Sequence, residues 1–175
     1  MNNIKINGKN IFDKFFDWNN YVLRKCTFFL YIAFTVLGFY QIISRYILNR
    51  PIIWGEQMSR FMFIWSIFLG SALVFGEGEH IALSFFKEKY SKDIYRYINI
   101  VKMIILLFVV VWLFIIDGYK IVIIVHKQIS PAMKIPMSIP YSAIFFGGIS
   151  MALNILAKLV KELQNLFSIS KERKI

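Results

Sequence analysis

The feature that most constrains this chain is a run of nineteen residues without a charge, Cys26 to Ser44. Nineteen helical residues rise about 29 Å, close to the roughly 30 Å thickness of a bilayer's hydrocarbon core. A helix is suited to lipid because it satisfies its backbone hydrogen bonds within one segment. The run therefore predicts a membrane-spanning helix, and no small-residue cleavage site follows it to indicate a secretory signal peptide.

Composition extends this conclusion to the whole chain. The 175 residues are 58% hydrophobic and 18% aromatic, with a mean hydropathy of +0.57, which is too apolar for an ordinary soluble domain. The net charge of +11 does not indicate a nucleic-acid partner, because the basic residues flank the apolar runs instead of forming a separate domain. The single cysteine, Cys26, excludes an internal disulfide framework and a thiolate metal site. We predict an all-α integral membrane protein in contact with the lipid bilayer, with no nucleic acid bound.

The apolar runs predict one membrane domain, residues 1–175, with four transmembrane helices and additional interfacial amphipathic helices. The predicted segments, in chain order, are an interfacial N-terminal segment at 1–25, spans at about 26–48 and 52–76, an interfacial connecting helix at 77–91, and spans at about 94–127 and 138–160. Pro51 separates the first two spans, because proline is tolerated in the first turn of a helix but not in its interior. The third span is expected to tilt or project, with Gly118 as a place to bend.

The distribution of basic residues predicts the orientation. Of the 21 Lys and Arg residues, fifteen lie in the N-terminal segment, the connection after the second span and the C-terminal tail. The other six lie in or beside the two remaining connections. Because short loops rich in Lys and Arg stay in the cytoplasm, both termini are expected there.

A charged helical turn opens the second span. Glu56 and Arg60 are four residues apart, so they share a helix face, with the acid nearer the N-terminus where the helix dipole favours it. The uncharged run that follows, Phe61 to Gly76, rises only about 24 Å. Because that is shorter than the hydrocarbon core, we expect the ion pair at the membrane's edge and partly buried.

Small residues four positions apart predict close contacts between helices in lipid, because they let two backbones approach. The pairs with this spacing are Ser66 and Gly70 in the second span, and Ala143 with Gly147 and Gly148 with Ala152 in the final span. The connection before the final span, Ser130 to Pro140, contains three prolines and is expected to be an ordered loop.

Two alternative functions remain open at this stage. A four-helix haem or electron-transfer subunit would need axial ligands inside the bundle, but His80 and His126 fall at the ends of spans, where His80 is better explained by hydrogen bonding at a turn. A small self-sufficient exporter would need an isolated intramembrane acid, but Glu56 and Asp117 each have a basic neighbour one turn away. The sequence contains no nucleophile elbow, P-loop, zinc-ligand spacing or paired catalytic carboxylates. We therefore expect neither an enzyme nor a bound metal or cofactor.

Three motifs between residues 54 and 81 resemble the small membrane subunit, the DctQ type, of tripartite ATP-independent periplasmic (TRAP) transporters. They are W-x-E-x-x-x-R from Trp54, F-I-W-x-x-F-L-G-x-A from Phe63, and G-E-H-I from Gly78. The loop S-P-A-M-K-I-P-M-S-I-P-Y from Ser130 is also similar to that family, as is the four-span layout over nearly the whole chain. One departure is Gln57, where many members have a second acid.

The resemblance implies a scaffold in the bacterial inner (cytoplasmic) membrane. In such a system the large membrane subunit carries the substrate and sodium sites, and a periplasmic substrate-binding protein delivers an organic acid such as a dicarboxylate or a sialic acid. The residues expected to stabilise this subunit or its contact with the large one are Trp54, Glu56, Arg60, Trp65, Ser66, Gly70, His80, Gly147 and Gly148. The residues expected to contact the binding protein are Arg50, Ser130, Pro131, Lys134 and Ile135.

Overall fold

A computed structural model of the chain describes residues 11–77 and 92–172. The helices, in chain order, are α1 (Ile11–Tyr46), α2 (Ile53–Glu77), α3 (Lys92–Val109), a π-helical segment (Val110–Asp117), α4 (Gly118–Val125) and α5 (Ser138–Glu172). Apart from an isolated β-bridge between Ile129 and Pro136, the regular structure of these residues is helical, which confirms the all-α fold class.

Four helical stretches are long and apolar enough to cross a membrane. They are Phe16–Tyr46, Ile53–Gly76, Tyr97–Val125 and Ser138–Gln164. The third stretch combines α3, the π-helical segment and α4 into one span. This is the architecture of a multi-pass membrane protein, as the apolar runs predict.

The first helix shows no boundary where the sequence suggests one. α1 runs unbroken through residue 25, so residues 11–25 continue directly into the first span. The reason is local, because no proline or glycine interrupts the chain between Ile11 and Thr35. The interfacial helix predicted at 77–91, with His80, lies outside the described residues, except for Glu77 at the end of α2.

The turn between α1 and α2 closes the end of the first helix with reciprocal hydrogen bonds. The backbone N–H of Arg50 donates to the carbonyl of Ser44 over 3.0 Å, and the Ser44 hydroxyl donates to the carbonyl of Arg50. Asn49 has a φ of 50°, a left-handed conformation that asparagine tolerates better than most residues. The helix therefore ends before Pro51, which lies two residues ahead of α2.

The last helix lies at the centre of the bundle. α5 packs against α1, α2, α3, the π-helical segment and α4, whereas α1 packs mainly on α2. We compare the 18-residue apolar stretch of each span. In the stretch from α5, 44% of the residues are buried, against 6% in the stretch from α1. The central packing cluster contains Leu23, Ala72, Val110, Met151, Ala152 and Ile155.

The π-helical segment is a departure from the regular third span that the sequence predicts. It covers Val110–Asp117 and ends directly before Gly118. Gly118 itself has ordinary helical angles, φ −58° and ψ −43°, so it does not bend the helix. Its missing side chain serves packing instead, because a Cβ there would lie 3.1 Å from Cγ2 of Ile144 on α5.

Candidate functional site

The ion pair predicted at the start of the second span forms within the chain. Nη2 of Arg60 lies 3.2 Å from Oε1 of Glu56, one helical turn away. Both side chains are well exposed on the chain's own surface, 67% for Arg60 and 71% for Glu56, so the expected partial burial is not observed. An exposed pair of this kind contributes at most about 1 kcal/mol to folding. Its charges are therefore available to a partner.

Two tryptophans of the second span have different environments. Trp54, at the first turn of α2, is exposed. Trp65 lies three turns further on, and its Nε1–H donates to the carbonyl of Ile139 over 3.3 Å. Its ring stacks on Phe146 with the centroids 6.3 Å apart. Trp65 therefore ties α2 to the beginning of α5 within this chain.

The glycines of the final span lie at its closest contacts with other helices. A Cβ on Gly147 would lie 2.7 Å from Cβ of Phe68 on α2, and a Cβ on Gly148 would lie 2.6 Å from Cβ of Phe114 in the π-helical segment. Both positions also face backbone atoms of those phenylalanines at 3.1–3.2 Å. Two adjacent glycines thus let α5 approach two different helices, the close contact that the small-residue pattern predicts.

Ser66 and Gly70 have the same spacing but a different environment. Ser66 is buried, and its hydroxyl donates to the carbonyl of Met62 over 2.7 Å. The nearest atom to a Cβ on Gly70 would be Cγ2 of Thr27 at 3.7 Å, an ordinary contact distance. Both residues line an open groove between α1 and α2, together with Tyr31, Ile67, Ser71, Val74 and Phe75. The helices are therefore less closely packed here than at the α5 glycines.

The loop before α5 is ordered by backbone hydrogen bonds and by the start of α2. The N–H of Ser130 donates to the carbonyl of Ile135 over 2.9 Å, and the N–H of Lys134 donates to the carbonyl of Ser130 over 2.9 Å. The N–H of Ala132 donates to Oε1 of Gln57 on α2 over 3.2 Å. Gln57 lies where many members of the resembled family have a second acid. In this chain its side chain holds the loop against α2.

The loop residues expected to contact a binding protein differ in their accessibility. Pro131 and Lys134 are exposed, and Ile135 is partly buried. Arg50, in the turn between α1 and α2, is also exposed. Ser130 is 0% exposed, and its Oγ accepts the N–H of Met133 over 3.3 Å. The side chain of Ser130 therefore shapes the loop, and the exposed side chains of this group are those of Arg50, Pro131 and Lys134.

A polar cluster at the opposite end of α2 was not found by reasoning from the sequence. Asn154 is 0% exposed, and its Nδ2 donates to the carbonyl of Ala72 over 2.6 Å. Lys158, one turn later, donates to the carbonyl of Phe75. A Cβ on Gly76 would lie 2.5 Å from Oδ1 of Asn20 and 2.9 Å from Nδ2 of Asn154. The available signal was the asparagine within an apolar span, since such a side chain seeks a partner on another helix.

The charged and ligating residues do not form a catalytic or metal centre within the described residues. His126 Nδ1 lies 3.2 Å from the Ser138 hydroxyl, and no group of three or more His, Cys, Asp or Glu side chains in residues 11–77 and 92–172 converges to hold a metal. Asp117 is paired with Lys120 at 2.9 Å. The helix surfaces can contact other membrane helices and lipid. The end of the bundle that carries the proline-containing loop presents exposed charges to a partner.

Comparison with known proteins identifies a family. The profile described as "Tripartite ATP-independent periplasmic transporters, DctQ component" matches residues 34–165. A Haemophilus influenzae protein named as a TRAP transporter small permease is 26% identical over 137 residues, which cover 76% of this chain and 82% of that protein.

Two further relatives belong to sialic acid transporters by name. The sialic acid TRAP transporter small permease protein SiaQ of Vibrio cholerae is 32% identical over 50 residues, 29% of this chain and 29% of SiaQ. The sialic acid TRAP transporter permease protein SiaT of Haemophilus influenzae is 29% identical over 91 residues, which are 52% of this chain but only 15% of SiaT. The similarity to SiaT therefore concerns a small part of a much longer permease.

Proposed function

Because the chain belongs to the DctQ family of TRAP transporter membrane subunits, we propose that it is the scaffold for a large transport subunit in sodium-driven, binding-protein-dependent uptake of an organic acid. Membership confirms the resemblance carried by the motifs from Trp54 and Phe63. It also means that the chain is a transporter subunit and not an enzyme. The proposed substrate classes are sialic acids and dicarboxylates. Two of the relatives are named as sialic acid transporter subunits, which supports the first class.

The observation that carries the scaffold proposal is the uneven burial of the four spans. α5 is enclosed by its neighbours. In the apolar stretches of the first and third spans, by contrast, only 6% and 11% of the residues are buried. α1 exposes Phe28, Phe29, Ile32, Val36 and Phe39, and the third span exposes Ile104, Ile105, Phe108 and Trp112. Such surfaces suit contact with lipid and with a second membrane protein.

The acidic groups support a scaffold in preference to a proton-coupled exporter. An acid that relays protons through a membrane protein is usually isolated in the span and desolvated. Glu56 and Asp117 are instead each paired with a base, Arg60 at 3.2 Å and Lys120 at 2.9 Å. Both pairs are exposed to a substantial degree, which suits surface contacts better than a proton path.

The ordered loop supports a contact with a substrate-binding protein. The hydrogen bond from Ala132 to Gln57 holds the loop against the start of α2, which is also the end of the bundle where the α1–α2 turn lies. Arg50, Pro131 and Lys134 are exposed there, and Lys134 has a φ of 54°. A rigid loop loses little conformational entropy when a partner binds. We assign this surface, without Ser130, to the periplasmic face.

Reconstitution tests the proposal directly. The full chain, its large subunit and the binding protein are placed in liposomes with an inward sodium gradient, and uptake of labelled sialic acid and of a labelled C4-dicarboxylate is measured. We expect uptake of one of them, dependent on sodium, only when all three proteins are present. Transport by this chain alone would instead establish an exporter, and a Soret absorption band in the purified chain would establish a haem subunit.

A charge reversal separates the binding-protein contact from the scaffold role. Arg50→Glu and Lys134→Glu are expected to raise the binding-protein concentration needed for half-maximal uptake, while the two membrane subunits still copurify. The matched control is Lys25→Glu, an exposed lysine in α1 that lies 25 residues before Arg50 in the chain, away from the proline-containing loop. An equal effect of Lys25→Glu, or no effect of the other two changes, would contradict the assigned contact.

A further inference from the structure

A cavity opens between α1 and α2 at the end of the bundle where the two helices are joined. Its volume is about 450 Å³, within the range of roughly 300–1,000 Å³ that is usual for small-molecule sites. The residues that line it lie between Gly38 and Glu56, so they come from the last turns of α1, the connecting turn and the first turn of α2. This turn cleft is therefore formed by the α1–α2 hairpin.

Tight contacts between the two helices border the turn cleft. Nε2 of Gln41 donates to the carbonyl of Gly55 over 3.2 Å and to Oγ of Ser59 over 2.6 Å. A Cβ on Gly55 would lie 3.2 Å from Cγ of Gln41. A Cβ on Gly38, by contrast, would meet nothing within 4 Å. The space at Gly38 therefore belongs to a cleft whose two walls are fixed to each other.

The lining of the turn cleft changes from apolar to charged along α1. Gly38 and Ile42 belong to the uncharged run Cys26–Ser44, and Arg45 follows that run directly. Arg45 lies seven residues after Gly38, a helical rise of about 10 Å. Glu56, the acid in the first turn of α2, lines the same cleft. The cleft thus extends from the charged edge of the span into its apolar part, which matches a ligand with a polar head and an apolar chain.

The two charges in the lining have opposite signs, and they define the polar head. The guanidinium of Arg45 presents N–H donors in a planar arrangement that suits a phosphate group. The carboxylate of Glu56 accepts hydrogen bonds from a primary ammonium group. Glu56 also pairs with Arg60, but its side chain is 71% exposed and stays accessible. Tyr46, exposed in the same lining, adds a phenolic hydroxyl, as is common at the membrane interface.

We propose that the turn cleft binds one phospholipid whose headgroup carries both a phosphate and a primary ammonium group, as in phosphatidylethanolamine. The phosphate accepts hydrogen bonds from Arg45, the ammonium group donates to Glu56, and an acyl chain passes Ile42 and Gly38 into the bilayer. The lipid occupies the leaflet on the side of the proline-containing loop and holds the α1–α2 hairpin at its depth. Because this binding involves the chain alone, it does not depend on the transport role.

Lipid retention by the full chain in detergent tests the site by native mass spectrometry. Phosphatidylethanolamine, phosphatidylglycerol and phosphatidylcholine with the same acyl chains are offered in equal amounts, and we expect wild type to retain the first. Phosphatidylglycerol lacks the ammonium group, and the trimethylammonium group of phosphatidylcholine cannot donate a hydrogen bond to Glu56. Arg45→Gln and Glu56→Gln should each weaken phosphatidylethanolamine binding by about tenfold, because each removes one charge-assisted hydrogen bond.

Two further variants separate the turn cleft from a general effect of charge. Arg60→Gln removes the partner of Glu56 within the chain but leaves the lining intact, so binding should stay within about twofold. Gly38→Leu keeps every charge and fills the open space in the apolar part of the cleft, so it should reduce lipid retention. Circular dichroism checks that each variant retains its helix content.

Equal retention of the three lipids by wild type, or losses in Arg60→Gln equal to those in Arg45→Gln and Glu56→Gln, would overturn the proposal. Retention that Gly38→Leu does not reduce would overturn the path of the acyl chain. If wild type retains no phosphatidylethanolamine and Gly38→Leu no longer copurifies with the large subunit, the cleft receives a segment of that subunit and not a lipid.

Discussion

At the scale of single residues, Gly148 lies against atoms of another helix that cannot move aside. A Cβ there would meet Cβ of Phe114 at 2.6 Å and the Phe114 carbonyl oxygen at 3.2 Å. These atoms belong to the backbone or are fixed to it, so a rotamer change cannot relieve the clash. The two helices would have to move apart, which also disturbs the neighbouring contact of Gly147 with Phe68.

Gly148→Ala is therefore expected to destabilise the chain by about 1–3 kcal/mol, measured by reversible unfolding in detergent with circular dichroism. Gly38→Ala is the matched control, because nothing lies within 4 Å of a Cβ at Gly38. That change should be neutral or stabilising by up to about 1 kcal/mol, since alanine is the better helix former. Equal unfolding free energies for the two variants would contradict the packing role assigned to Gly148.

Single positions also show how far sequence reasoning reaches. The small-residue spacing in α5 predicts a close approach, which the structure shows at Gly147 and Gly148. The same spacing at Ser66 and Gly70 borders an open groove. The pattern says which face of a helix can be approached closely, but the identity of the neighbour depends on the tertiary arrangement. Asn154 could have been suspected, although its partner, the carbonyl of Ala72, could not.

At the scale of elements, the end of α1 depends on one left-handed residue. Asn49 has a φ of 50°, and the reciprocal bonds between Ser44 and Arg50 close around it. Alanine has a Cβ but no polar side chain to compensate for the left-handed conformation. We therefore expect Asn49→Ala to lower the free energy of unfolding by roughly 1 kcal/mol. Asn49→Gly should be neutral or slightly stabilising. Thermal unfolding of the three proteins compares them, and a cost for glycine equal to that for alanine would exclude backbone conformation as the cause.

The four spans are predicted well because hydropathy and length determine them almost alone. The α2 bounds, Ile53–Glu77, lie close to the predicted 52–76, since Pro51 and the charged exit mark both ends. The π-helical segment at Val110–Asp117 has no comparable signal. Its sequence, VVWLFIID, is as apolar as a regular membrane helix, so hydropathy does not distinguish the two helix types.

At the scale of the whole molecule, orientation is the main prediction that awaits measurement. The charge distribution predicts that both termini lie in the cytoplasm and the proline-containing loop outside. In a Cys26→Ser background, Lys134→Cys should react in intact cells with a membrane-impermeant maleimide. Lys14→Cys should react only after the membrane is permeabilised. Both residues are exposed in the structure, so the opposite labelling pattern would reverse the topology and the assignment of the loop to the periplasmic face.

The central position of α5 has a consequence for how the subunit is made. α1 and α2 pack on each other, whereas the third span packs closely on α5 and touches α2 through the rings of Phe68 and Phe114. α5 is the last of the four spans to leave the ribosome. Until it enters the bilayer, we expect the nascent chain to consist of the α1–α2 hairpin and a third span that lacks its main packing partner. Completion of the bundle thus coincides with insertion of the final span.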